Sequence, residues 1–338
     1  WKVYREEIRF SHEVLPSWRR RVSKFNVLLN RGVMYALRQA TPQAILCGGY
    51  NYVASWQALV WARFRNVPFL LWSESNRYDA RRGHALVEML KAEFLHNCDG
   101  FVVPGHLAKE YLSAHNIRGD RIFIAPNAID NDLFGSLAEA ARKDSSAARR
   151  DLDLPSRYIL FVGRLVQEKG VFELLRAYAT LDHSLRRQIG LVFVGDGPCR
   201  AELQQQASAV TDGTIKFPGF AQREQLPAYY ALAEMFVLPT YTDTWGLVVN
   251  EAMACGLSVI VSRVAGCASD LIQENWNGLL IDPKDISSLN SAMANLATRA
   301  DLSASMGARA RQHIAQYSPG AWSLAIANAL KVITGTHD

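Results

Sequence analysis

The sequence predicts an α/β protein with two doubly wound, Rossmann-like parallel sheets, and three observations carry that expectation. The chain has 338 residues, too many for one ordinary domain and suited to two of about 150 each. Short apolar runs alternate with helix-length segments, as expected for strands covered on both faces. That alternation occurs twice, on either side of a polar, Ala/Ser/charge-rich stretch from Phe134 to Pro155.

Taken in order, the first half opens with an amphipathic stretch from Ser17 to Gln39, headed by Trp18-Arg19-Arg20-Arg21 and ending before Thr41-Pro42. Such a basic helix is able to dock on an anionic membrane, although a solvated basic turn is the favoured reading of the cluster. Strands are expected at Ala44–Cys47, Pro68–Trp72, Gly100–Val103 and Ile122–Ala125, with helices at Val53–Phe64, Leu86–His96 and 107–114. In the second half the strands are Tyr158–Val162, Leu191–Val194, Met235–Leu238 and Val259–Val261. Helices follow at about 170–180, 199–209, 246–254 and 285–298, and Ala321–Ile333 reads as a last helix. The expected organisation is a first domain over 1–134, a connection over 135–155 with room for some helix, a second domain over 156–318 and a terminal helix over 319–338. Two such sheets imply a cleft, with ligands near the strand carboxyl ends.

Composition narrows the function. Apolar residues make up 49% of the chain and charged residues 20%, and the net charge is +5. The charge is uneven: residues 1–150 hold 22 Lys/Arg against 14 Asp/Glu, and 151–338 hold 15 against 18. A basic first half suits an anionic partner such as a membrane surface or a phosphorylated lipid. No basic stripe interleaved with aromatics argues for nucleic acid. Cys47, Cys98, Cys199, Cys255 and Cys267 are scattered with no C-x-x-C pair, which favours a reducing compartment over a zinc or disulfide framework. No apolar run approaches ~20 residues, so no spanning helix is expected. A cytoplasmic location follows as the expectation, with a peripheral position on the inner face of the membrane.

The densest chemistry lies in MFVLPTYTDTWGLVVNEAMACG, Met235 to Gly256. A strand stops at Pro239, a polar loop follows, and Gly246-Leu247-Val248 opens a helix. Free amides at that helix entrance suit a phosphate or sugar oxygen, and Asp243 and Glu251 can accept from hydroxyl groups. GRLVQEKG, Gly163 to Gly170, follows another strand and brings Arg164 and Lys169 to a second βα junction. Read blandly, it is a solvated turn with a surface pair. VGDGP (Val194 to Pro198) is a tight turn, without the third glycine of a dinucleotide fingerprint. Asp130-Asn131-Asp132 spells D-x-D but follows the Asn127 turn, and the turn reading wins. The eight histidines show no metal-ligand spacing, so no metal is expected.

Together these segments resemble the retaining glycosyltransferases of family 4, which share the two-domain GT-B fold. The Asp243…Glu251 spacing is similar to the E-x7-E element, with Asp in place of the first Glu. Gly163, Arg164 and Lys169 match the element that binds the donor pyrophosphate. Gly195, Asp196 and Gly197 match the turn beside the base, and FPGF (Phe217 to Phe220) the strand and loop after it. SVIVSRVAGCASDLI and WNGLLIDPKD, from Ser258 and Trp276, match later elements in the right order. The first half agrees less. Glu74, in VPFLLWSES, stands where many members have histidine. It is open as an orienter of an acceptor hydroxyl, a general base or a structural acid. Gly48, Gly49, Tyr50 and Asn51 close another strand on the acceptor side. The family starts with one more βαβ portion, for which nothing precedes Trp1.

The resemblance implies transfer of a sugar from a UDP- or GDP-linked donor to a glycan or lipid-linked acceptor, in surface polysaccharide or glycoconjugate assembly, with no metal or other cofactor. Arg164, Lys169, Asp243 and Glu74 are the catalytic candidates. Thr244, Trp245, Gly246, Leu247, Val248 and Glu251 join the glycines as donor-binding candidates. Two alternatives stay open: a catalytically silent GT-B protein that binds a nucleotide or partner, and a phosphorylase with covalently held pyridoxal phosphate.

Overall fold

The structure is a computed structural model and describes residues 8–22, 25–78 and 85–335. Two compact units emerge, one formed by residues 1–126 with 322–338 and the other by 127–321.

The first unit begins with an antiparallel hairpin, β1 (Ser17–Val22) and β2 (Phe25–Asn30), followed by α1 (Val33–Ala40). This corrects the expected amphipathic helix from Ser17. Gly32 has φ +88° and is left-handed, a conformation that interrupts any helix running through it, so only the residues after it are helical. Trp18 therefore sits on a strand, and the side chains of Arg19, Arg20 and Arg21 lie outside the described residues. Beyond the hairpin come β3 (Ile45–Cys47), α2 (Val53–Arg65), β4 (Phe69–Trp72), α3 (Ala85–His96), β5 (Gly100–Val103), α4 (His106–Ala114) and β6 (Ile122–Ile124). The four strands pair in parallel in the order β3-β4-β5-β6. All of β5 and most of β4 is buried, as continuous apolar runs require in a sheet covered on both sides.

The second unit starts earlier than the composition suggested. Its first elements are α5 (Asn131–Lys143) and α6 (Ser145–Asp151), which take up the end of the expected first domain and most of the stretch read as a connection. Phe134 and Ala138 enter its core, while the charged residues on the other side of the helix made the segment look like a linker. Asp130, first member of the D-x-D string, caps α5 by accepting the Leu133 N–H at 2.9 Å. The chain continues through β7 (Tyr158–Val162), α7 (Val171–Ala179), α8 (His183–Arg186), β8 (Gly190–Val194), α9 (Arg200–Ala207), β9 (Ile215–Gly219), α10 (Leu226–Leu232) and β10 (Met235–Leu238). It ends with α11 (Leu247–Ala254), β11 (Val259–Ser262), α12 (Ala268–Leu271), β12 (Gly278–Ile281), α13 (Ile286–Thr298), α14 (Ala300–Ile314) and α15 (Pro319–Thr334).

The six strands of this unit are parallel, in the order β12-β11-β10-β7-β8-β9. The first strand in sequence, β7, is central. The chain winds outward through β8 and β9, then returns to β7's other side and winds away through β10, β11 and β12. Loops after β7 and β10 therefore meet where the winding reverses, the place where such sheets bind ligands. Every residue of β7, β8, β10 and β11 is buried, each large side chain contributing about 1.5–3 kcal/mol.

From Trp322 onward, α15 groups with the first unit. Trp322, Ala325, Ile326, Ala329, Leu330 and Ile333 form one helical stripe against Leu70, Val102 and Ala125. Trp322 also lies 5.2 Å from the Trp72 ring.

Candidate functional site

The reversal point between β7 and β10 collects most of the second-unit candidates. After β7 the chain passes Gly163 and Arg164, makes one 3₁₀ turn over Gln167–Lys169, and enters α7 at Gly170. After β10 it passes Thr240 to Thr244 and enters α11 at Gly246, whose φ is +100°. The two loops are stitched together. Tyr241 N–H donates to the Glu168 carbonyl at 2.8 Å, and the buried Thr240 hydroxyl donates to the same oxygen at 2.9 Å.

Across this seam Lys169 Nζ reaches Asp243 Oδ2 at 2.5 Å. Asp243 Oδ1 accepts the Trp245 N–H at 3.3 Å. Arg164 is exposed; its carbonyl accepts the Val166 N–H at 3.0 Å, while its guanidinium makes no hydrogen bond or ion pair among the described residues. No side chain caps α11, and the first amides of a helix have no intrahelical acceptor. The site thus offers one uncompensated guanidinium, one closed ion pair and a helix entrance, a set able to hold a diphosphate.

Glu251, further along α11, accepts a hydrogen bond from the Tyr230 hydroxyl at 2.7 Å. Burial pushes its carboxyl up to about 7, against the opposing effect of that hydrogen bond. Trp245 contributes only its backbone here. Its indole is buried and donates to Asn250 Oδ1 at 2.9 Å, and Asn250 Nδ2 donates to the Asn127 carbonyl at 3.1 Å. Leu247 is exposed and Val248 half-buried at the helix start.

The glycine turn after β8 packs against the loop after β7. Gly195 has φ +136°, and a Cβ there would stand 1.9 Å from the Gly163 carbonyl oxygen. Gly197 approaches the Leu165 carbonyl in the same way. Both glycines therefore let two loop backbones touch, which holds Gly163 and Arg164 in place. Asp196 is exposed, accepts the Gly197 N–H at 2.8 Å and lies 3.7 Å from Arg200.

The other candidates belong to the first unit. Gly48 and Gly49 follow β3, with Gly49 at φ +104°. Tyr50 packs its ring 5.9 Å from Phe94, its carbonyl accepts the Trp56 indole N–H at 3.2 Å, and burial pushes its phenol up. Asn51 is exposed. Glu74 accepts the Trp72 indole N–H at 3.2 Å, a contact that suits a structural acid as well as a chemical one.

Tyr230 and Thr240 were missed by sequence reasoning. Thr240 follows Pro239 directly and was within reach of it, as part of the strand-end loop. Tyr230 acts across 21 residues, with no local pattern to flag it. Lys91, buried beside the Tyr111 hydroxyl and 3.4 Å from Glu88, was missed too. Among the described residues no cluster of three or more His, Cys, Asp or Glu is arranged to hold a metal ion.

Comparison with known proteins gives relatives, structural neighbours and a family. "Putative teichuronic acid biosynthesis glycosyltransferase TuaC" of Bacillus subtilis is 37% identical over 45% of this chain and 36% of its own length. The D-inositol 3-phosphate glycosyltransferase of Corynebacterium jeikeium is 34% identical over 58% of this chain and 48% of its own. The chain thus spans about half or less of those two relatives. Anabaena Alr3699/HepE, solved in complex with UDP, matches with a TM-score of 0.72 at 17% identity, covering 90% of this chain and 82% of that one. This likeness shows the fold, α/β with two Rossmann-like units of the GT-B kind. The family model for glycosyl transferases group 1 matches residues 143–313, half of the chain and nearly all of the reversal-point site. The chain belongs to the glycosyl transferases group 1 family.

Proposed function

We propose that this chain is a retaining, family-4 type glycosyltransferase that moves a sugar from a UDP- or GDP-linked donor to a glycan or lipid-linked acceptor, in surface polysaccharide or glycoconjugate biosynthesis. The observation that carries this reading is the meeting of Arg164, Lys169, Asp243 and the α11 entrance at the reversal point of the matched unit. HepE has been solved with UDP and with UDP-glucose, which supports a nucleotide sugar as the ligand here.

In this reading Arg164 and Lys169 neutralise the departing diphosphate, an electrostatic contribution of about 3–4 kcal/mol for a well-placed donor. Glu251 accepts from the ribose hydroxyls, the α11 amides and Asp243 face the sugar, and Gly195, Asp196 and Gly197 flank the base. Gly48 to Asn51 and Glu74 are the acceptor-side candidates of the first unit. Charge neutralisation by two side chains requires no metal, so chelation with EDTA should leave transfer intact.

A lipid-linked acceptor implies a peripheral membrane position on the cytoplasmic face. No described helix is long and apolar enough to cross a membrane. With Trp18 on a strand, surface contact is better assigned to the start of α3. There Ala85 to Leu90 are all exposed, with Leu86 at 61% and Met89 at 60%.

Calorimetric titration of UDP, GDP, UDP-glucose and GDP-mannose tests the donor reading, with Arg164→Ala as control. Micromolar binding of one nucleotide family, weakened at least tenfold in the variant, is expected. Failure of all four to bind would sink it. Anomeric analysis of the product by NMR then tests retention. A second reading, a GT-B protein that binds nucleotide without transfer, draws on Asp243, both of whose oxygens are engaged within the protein. Tight nucleotide binding without donor breakdown would favour it.

A further inference from the structure

The Lys169–Asp243 contact changes what each residue offers an anionic ligand. The ammonium lies 2.5 Å from Asp243 Oδ2 and 3.5 Å from the Thr242 carbonyl, and both side chains are largely shielded, at 22% and 16% exposure. The Trp245 amide on Oδ1 fixes the carboxylate from the other side. A pair this close presents a dipole to an approaching diphosphate rather than a cation, and partial burial keeps it from being screened away. Arg164, in the loop just past the end of β7, has no such partner among the described residues. Two basic residues that look equivalent in the string GRLVQEKG are therefore in different electrostatic states.

Resting on the donor-site reading, we propose that Asp243 is a positioning residue that withholds the Lys169 cation until the diphosphate leaves. A nucleotide diphosphate still esterified to its sugar meets Arg164 first. When the bond between the anomeric carbon and the diphosphate oxygen breaks, the bonding electron pair departs with that oxygen. The acceptor hydroxyl oxygen then bonds to the anomeric carbon, and its proton passes to the departed diphosphate or to water. The diphosphate gains one unit of negative charge, and it then competes with Asp243 for the ammonium. Lys169 thus adds more to the departing state than to the bound donor, which is how an interaction raises turnover rather than affinity alone.

The test is a double-variant cycle read by calorimetric titration of UDP and GDP at low ionic strength, using Asp243→Asn, Lys169→Met and both together. Asp243→Asn keeps the shape and the acceptor for the Trp245 amide but frees the ammonium. It should bind the preferred nucleotide about five- to tenfold more tightly than the parent, a gain that added salt diminishes. Lys169→Met in the same chain should erase the gain, and Asp243→Glu should restore affinity to within about twofold of the parent. With a donor, Asp243→Asn should lower KM and kcat together. Unchanged or weaker nucleotide binding by Asp243→Asn, or a gain that survives Lys169→Met, overturns the proposal while leaving the donor site standing. A parent that binds neither nucleotide overturns the donor-site reading, and this proposal with it. The double variant removes both charges and leaves neither stranded, so loss of fold in one single variant does not close the cycle.

Discussion

The two units differ most in how much of their apolar surface they keep to themselves. Of the twenty large apolar side chains exposed among the described residues, eighteen belong to the first unit. Among the described residues of the second unit only Phe220 and Leu247 are exposed, and each adjoins a candidate loop. The first unit is also the basic one, with 19 Lys/Arg against 11 Asp/Glu. Its candidate glycines, Gly48 and Gly49, have open space where a Cβ would stand, whereas Gly195 and Gly197 of the second unit are wedged backbone against backbone. A ligand read by amides and a guanidinium needs loops held to within a fraction of an ångström. A larger or more variable ligand is better met by open, adhesive surface. The family model lies within the second unit, the side on which geometry is most constrained.

That contrast is broken or sharpened most strongly by adding one methyl group to each unit. Gly195→Ala places a Cβ against the Gly163 carbonyl at φ +136°, so backbone must move and the residue is strained besides. A loss of about 3–5 kcal/mol is expected. Gly48→Ala in the first unit meets nothing within 4 Å and should stay within about 0.5 kcal/mol of the parent. Urea unfolding followed by circular dichroism reads both. Equal losses would mean that the second unit's loops are no more tightly wedged than the first unit's.

Glu251 gives a pH test of the same wedging. Burial raises its carboxyl from 4.5 to about 7. The folded protein therefore keeps that proton over a range in which the unfolded chain has released it. Folded protein binds more protons than unfolded between pH 4.5 and 7, so this group's contribution is fully present below pH 4.5 and is lost as pH rises through 7. The loss amounts to roughly 3 kcal/mol, since each tenfold change in proton affinity is worth about 1.4 kcal/mol. Glu251→Gln retains an acceptor for Tyr230 and cannot ionise. Its stability relative to the parent should climb by that amount between about pH 4.5 and 7.5, measured as urea midpoints at several pH values. Parallel profiles would show that the carboxylate is better solvated than its surroundings indicate.

How much of this was legible in the sequence follows from the range of each interaction. Strands β5, β7 and β10 match the sequence reading to the residue. A strand buried on both faces must be an unbroken apolar run, and Gly or Pro marks its exit. The order of motifs and the loops that carry Arg164, Lys169 and Asp243 were likewise legible, because each is local. The β1–β2 hairpin was not, since six-residue strands and a helix share amphipathic character and Gly32 alone separates them. That α5 belongs to the second unit was hidden because so few of its residues, Phe134 and Ala138 among them, are buried. The Lys169–Asp243 bond joins residues 74 apart, and nothing in either motif says that the other neutralises it. Chemistry at one strand end could be read; the pairing between strand ends required the sheet order.

The smallest stability effect falls on the surface that sets the first unit apart. Leu86 and Met89 stand 61% and 60% exposed on the first turns of α3. Exchanging both for serine removes little burial, so stability should change by no more than about 0.5 kcal/mol. If that surface meets lipid, each side chain returns about 1 kcal/mol at ~25 cal/mol per Å² of apolar area. The double variant should then partition to vesicles containing anionic lipid roughly thirtyfold less well than the parent. Raising salt should weaken the parent further, since the basic charge of this unit contributes through a screened attraction. A parent that ignores vesicles, or a variant that binds them equally well, would move the apolar surface of the first unit away from membranes. A parent that dissociates from dimer to monomer on substitution would assign it to a second copy of the chain.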